Sequence, residues 1–381
     1  PRLPQRTMAW EALANRIVAQ LALEPGERVL VLAKPGVFTD IVAPLRYAVM
    51  QAGGTDLGVL EVLADPYPAE WDAALLGRGF AAATGEYQRL LRDVDATVLL
   101  PGTNPVHPAY SALQALLFRD GGARRTIHFH WTDAYSSSGN EFGLTGITLL
   151  PGFPPPPMQV IDQRYQRAVL DTDLPALAAQ QARFATALRP ARVRVTAPGG
   201  TDLRFRVGDR PIIEQNGDAS ARRMRAGAPF LVREVEIPAG VVRVAPVEDT
   251  VEGTVVYPYS AWAGQPVVDA RLRYRRGEIV AATARRGGEH VERELAAAPP
   301  AARRFREFGL GFNPLLALDD GFPGWIPYYG YGAGIVRLGI GNNLELDGAV
   351  RGRYFRWRDL LVDATVRLDG EAWVRDGKLV R

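Results

Sequence analysis

The chain has no cysteine among its 381 residues, so disulfides, thiolate nucleophiles, cysteine-type zinc sites and iron–sulfur clusters are excluded at once. No run of eighteen apolar residues occurs, and the opening PRLPQRTMAW lacks a charged-then-apolar export signal. The reading is therefore a cytoplasmic protein with no membrane partner. Net charge is only +3 and is carried almost wholly by arginine, which falls short of a nucleic-acid footprint. There is no Gly-x-Ser-x-Gly elbow, and GAGIVRLGIG (332–341) lacks the acidic partner and strand-to-helix context of a dinucleotide loop. Neither a serine hydrolase nor a cofactor-dependent oxidoreductase is supported, and no cofactor is expected.

What the chain does have is ample apolar content, 47% over 41.6 kDa, enough for two domains at the usual size. The first part alternates helix and strand. Trp10, Leu13, Ile17, Val18 and Leu21 recur at helical spacing, Pro25-Gly26 ends that helix, and RVLVLA (28–33) is a short buried strand. A second helix is expected over 38–53, and strands over 55–62 and 96–100. This pattern predicts a doubly wound α/β domain over residues 1–189. The strand ending at Leu100 runs into PGTNP, a turn at a strand's carboxyl end, where α/β ligands often sit. The strand TIHFHW places His128 and His130 on one face. With a carboxylate such as Asp133 they could form a two-histidine iron site, although same-face histidines more often pack or hydrogen-bond.

PGFPPPP (151–157) is a stiff connector, and residues 164–188 read as one polar, alanine-rich linking helix. From Arg192 onward the texture becomes period-two: RVRVTAP, DLRFRVG, REVEIPAG, VVRVAP, GTVVYP and DARLRYRRGEIVAATARRG. A strand-rich α+β domain over 190–381 is the expectation.

IPAGVVRVAPVEDTVEG, REFGLGFNP, the glycine-rich GAGIVRLGIG and the closing RWRDLLVDATVRLDGEAWVRDGKLV together resemble the carboxyl-terminal domain of the thermophilic-type metalloaminopeptidases T and S. LALEPGERVLVLA is similar to the first domain of the same family. The resemblance implies an aminopeptidase-like fold, a homodimer, and a two-metal centre built from two Glu, two His, a Tyr and an Asp. Carried over position by position, that set falls on Val241, Glu307, Ile335, a residue near Asn342, Trp357 and Asp359. Only Glu307 and Asp359 keep a ligand's chemistry. Zinc and its relatives need lone pairs that Val241, Ile335 and Trp357 do not offer, so a metal-free site is expected.

Two carboxylates left without cations would repel, so positive charge should replace the metals; Arg337, Arg356 and Arg358 are the sequence-local candidates. Glu307 and Asp359 are retained as acid or base candidates only. Beside them stand Trp325, Tyr328, Tyr329 and Tyr331, with Trp357 in the last motif, as rings that could contact a peptide while arginines clamp a carboxylate. Degenerate relatives look like the peptide-binding proteins of ribosomal-peptide pathways of the crocagin type, in which a precursor peptide is presented to a modifying enzyme. Two alternatives stay open at this point: a working metallopeptidase with unorthodox ligands, and a structural or assembly partner with no small ligand.

Overall fold

The computed structural model describes residues 7–62, 73–103, 107–119, 122–131, 148–149, 153–154, 156–227, 229–356 and 360–381. They form two compact units, and the chain passes between them more than once.

The first unit is built on a five-stranded sheet. Its order is Thr55–Glu61, Arg28–Ala33, Ala96–Leu99, Arg125–Phe129 and Glu234–Ile237, parallel throughout. Such strands are covered on both faces and read as continuous apolar runs, which is why RVLVLA and ATVL were legible. Leu30, Leu32 and Leu99 of the strands pack with Leu113 and Leu117 of the helix Pro108–Arg119 in one core cluster. The last strand is a departure from expectation. REVEIPAG has the same alternation as the strands around it, yet Glu234–Ile237 joins the parallel sheet beside Arg125–Phe129. Arg125 ties this return of the chain in place. Fully buried, it donates to both Glu27 carboxylate oxygens at 2.5 and 2.7 Å, to Leu21 O at 3.0 Å and to Ala219 O at 2.8 Å.

The expected single helix over 164–188 is two, Met158–Leu170 and Leu174–Leu188. Asp173 caps the second by accepting from the Ala176 N–H at 3.0 Å, and a proline occupies its first turn, where the missing N–H costs nothing.

The second unit holds an eight-stranded antiparallel sheet and a six-stranded one. Aromatic contacts join their faces: Phe205 lies 5.3 Å from Phe308 and Tyr274 lies 5.4 Å from Phe305, centroid to centroid. Tyr257 buries its ring and donates its hydroxyl to Leu338 O at 3.0 Å. Within the six-stranded sheet, Val241–Val244, Phe305–Gly311 and Val336–Gly341 run side by side and antiparallel. These three strands carry the candidate site. No helix among the described residues is long and apolar enough to cross a membrane.

Candidate functional site

Directly opposed residues on antiparallel strands share a face, so register decides what meets Glu307. Arg243, Gly309 and Arg337 form one row across the three central strands, and Glu307 lies two residues from Gly309 on the same face. A side chain at 309 would press on Arg337: an added Cβ would stand 3.4 Å from its Cβ and its Nε. Glycine there leaves room for two guanidinium groups to converge. Glycine at 339, opposite Glu307, does the same for the carboxylate, since a Cβ would come within 3.0 Å of Glu307 Cγ.

The result is a buried ion-pair network. Arg243 donates to Glu307 Oε2 through its Nε at 3.2 Å and a terminal nitrogen at 2.8 Å. Arg337 Nε stands 3.0 Å from Glu307 Oε1, and Arg306 Nε stands 3.7 Å from Oε2. Glu345 closes the network, accepting from Arg243 at 3.3 Å and from Arg306. Glu307 is fully buried and the three arginines are at most 5% exposed; only Glu345 reaches solvent, its side chain 34% exposed. Burial alone would raise the Glu307 pKa, but the charges of Arg243, Arg337 and Arg306 and the Arg243 hydrogen bond outweigh it and hold the group down at about 2. It is a carboxylate at neutral pH. Among the described residues, the network sets three guanidiniums against two carboxylates.

Two of these arginines were missed in the sequence. Arg243 was legible in principle, because it lies two residues along the strand from Val241 and so on the same face. Arg306 was not: consecutive strand residues normally point apart, but the register shifts between Phe305 and Glu307, and the bulge turns both charges inward.

Arg337 also donates to Tyr329 O at 3.4 Å and lies 5.7 Å from the Tyr331 ring centroid. Trp325, Tyr328 and Tyr331 are at most 2% exposed, packed with Tyr328 and Tyr331 edge to face at 4.4 Å. Tyr329 alone of the four is half-buried. Tyr328 and Tyr329 both hold positive φ, 36° and 50°, a conformation costly for bulky side chains and frequent at functional sites. Arg356 stands elsewhere. Its guanidinium stacks 3.9 Å over the Trp262 ring and lies 3.5 Å from Glu294, which also accepts from the Tyr354 hydroxyl at 2.6 Å. Trp357, Arg358 and Asp359 lie outside the described residues.

A divalent metal does not fit this donor set. Val241 and Ile335 are buried hydrocarbon, Glu307 is already surrounded by fixed positive charge, and a dication placed there would meet three guanidiniums. Among the described residues no group of three His, Cys, Asp or Glu side chains could hold a metal ion.

In the first unit His128 and His130 do share a face, their rings 3.7 Å apart. His128 Nδ1 lies 3.4 Å from Glu234, which accepts the Tyr110 hydroxyl at 2.5 Å. His130 is held well below its ordinary value by burial and by the neighbouring His128. Asp133, the proposed third partner, lies outside the described residues.

Fold and site together define a mixed α/β protein with a parallel-sheet unit, a strand-rich unit, and a buried arginine–carboxylate network on the six-stranded sheet of the latter. Residues 175–314 match a family model described as thermophilic metalloprotease (M29). Over the whole chain the fold is similar to that of AmpT from Thermus thermophilus, with TM-score 0.58, 19% identity, and coverage of 98% of this chain and 99% of that one. It is equally similar to 2,5-dihydroxypyridine dioxygenase from Pseudomonas putida KT2440, with TM-score 0.60, 17% identity, and coverage of 99% and 98%. Comparison with curated proteins gives no match.

Proposed function

We propose that the protein is a metal-free peptide-binding member of this scaffold class, which holds a peptide by its carboxylate and presents it for modification. The observation that supports the reading is the Arg243–Glu307–Arg337 network, which sets guanidinium charge around Glu307, a position where the family resemblance expects a metal ligand. Guanidinium cannot activate water as a Lewis acid, but it pairs with carboxylates in a two-pronged geometry. The network reaches solvent at Glu345, whose carboxylate serves as a resident stand-in for that of a ligand. Tyr329, strained and half-buried beside Arg337, supplies the ring against which a side chain packs. Glu307 acts as a fixed anion that orients the arginines, because a carboxyl group with a pKa of about 2 has no proton to give near neutrality. A ribosomally made precursor peptide and a partner modifying enzyme fit this role, with a homodimer as the assembled form.

Two measurements test the reading. Protein purified without chelator should contain no stoichiometric zinc, cobalt or manganese. Calorimetric titration with peptides as free acids and as carboxyl-terminal amides should favour the acids by about tenfold or more, the worth of one charge-assisted contact. Stoichiometric metal would turn the case to an active metallopeptidase, and equal affinity for acid and amide would remove the clamp.

A further inference from the structure

The outer face of the eight-stranded sheet carries a charge pattern that folding does not call for. Register puts Arg194 directly opposite Arg204 on one neighbouring strand and opposite Arg367 on the other, and Arg192 opposite Arg206. Like charges directly across a strand pair are destabilising. Asp202 offsets part of this, taking two hydrogen bonds from Arg194 at 2.9 and 2.7 Å and lying 3.5 Å from Arg204. Arg192, Arg206 and Arg367 have no ion pair among the described residues. Two further carboxylates line the depression and accept from backbone, Asp369 from the Arg192 N–H at 3.0 Å and Glu252, opposite Arg204 in register, from the Arg276 N–H at 2.8 Å. Four of these five arginines line an open depression of about 760 Å³ floored by buried Val193 and Phe205.

We propose that this face docks an extended acidic polypeptide segment. Arg192 and Arg194, and likewise Arg204 and Arg206, are two residues apart on a strand, a repeat of ~7 Å. Acidic side chains at every second residue of an extended chain recur at that interval, so carboxylates and guanidiniums meet in step. A nucleic acid fits less well. The depression offers no exposed ring for base stacking, and Asp202, Glu252 and Asp369 stand among the arginines, where a phosphodiester has no donor to offer them. A membrane surface would want exposed apolar side chains, and the lining has none.

The experiment is fluorescence anisotropy of a labelled peptide of alternating Glu and Ser, titrated with the full chain and with the triple variant Arg192→Gln, Arg206→Gln, Arg367→Gln. Thermal unfolding checks that the variant keeps the fold, which these solvent-facing changes should leave intact. Binding should weaken as salt rises, fall by about tenfold or more in the triple variant, and be absent for a Lys–Ser control peptide. The proposal is overturned by unchanged affinity in the variant, by absence of binding at low salt, or by tighter variant-sensitive binding of oligothymidine or anionic vesicles. The outcome does not depend on whether the Glu307 region binds anything.

Discussion

Arg243 donates two hydrogen bonds to one carboxylate oxygen of Glu307 in a place where neither side chain is more than 6% exposed. Taking both charges out of water costs several kcal/mol, and only close geometry together with Arg337 and Arg306 offsets that cost.

Removing the anion should therefore be severe. Glu307→Gln takes the central carboxylate from three converging guanidiniums, leaving Glu345 as its counterpart in the network among the described residues, and a loss of about 3–5 kcal/mol in denaturant-derived stability is expected. A loss under about 1 kcal/mol would show that the network is looser than its distances imply.

Acid should act on the fold in two windows. His130 has a depressed pKa in the fold, so the unfolded chain takes up its proton first, at about the ordinary value of 6.5. Stability then falls as pH drops below that value; His130→Asn should shrink this first decline, and His107, also lowered by burial, should supply what remains. Glu307 titrates near 4.5 when unfolded and at about 2 when folded; its contribution is complete above 4.5 and is lost as pH falls toward 2. Denaturation midpoints measured across the acid range should resolve both limbs, and a flat profile between neutrality and pH 5 would contradict the first.

Glu345 and Tyr329 separate ligand binding from stability. Glu345→Gln removes the stand-in carboxylate and should tighten binding of a free-acid peptide by several-fold at a cost of about 1 kcal/mol in stability. Calorimetry on the variant reads the first effect and chemical denaturation the second; weaker binding would argue that Glu345 contacts the ligand favourably.

Tyr329→Gly should behave in the opposite sense. Glycine relieves the positive-φ strain, worth about 1 kcal/mol, and forfeits some unfolded-state entropy, so stability should move by under about 1 kcal/mol. Peptide affinity should nonetheless drop, and unchanged affinity would remove the ring from the binding surface.

Crowding around the network gives a further check. Gly339→Ala would set a methyl 2.9 Å from Arg356 O and 3.0 Å from Glu307 Cγ, both in packed surroundings, and should cost about 1–3 kcal/mol. Exchange of Gly77 for alanine meets nothing within 4 Å and serves as the control.

Sequence pattern carried the first four strands of the parallel sheet, most plainly Arg28–Ala33 and Ala96–Leu99, because buried parallel strands announce themselves as near-continuous apolar runs. It could not place Glu234–Ile237, since alternation says that a strand has two unlike faces and nothing about which sheet it joins. The site divided the same way. Glu307 and Arg337 were named from their motifs and lie together, whereas Arg306 entered through a bulge that composition does not encode.

The returning strand bears on how the chain is made. Synthesis proceeds from the amino terminus, yet the first sheet lacks its last strand until residue 237 has left the ribosome, and Arg125 lacks its Ala219 carbonyl until shortly before. A fragment ended near Arg189 would expose the flank of Arg125–Phe129 as an unpaired template for aggregation, so recombinant pieces of the first unit should carry residues 217–239 in cis.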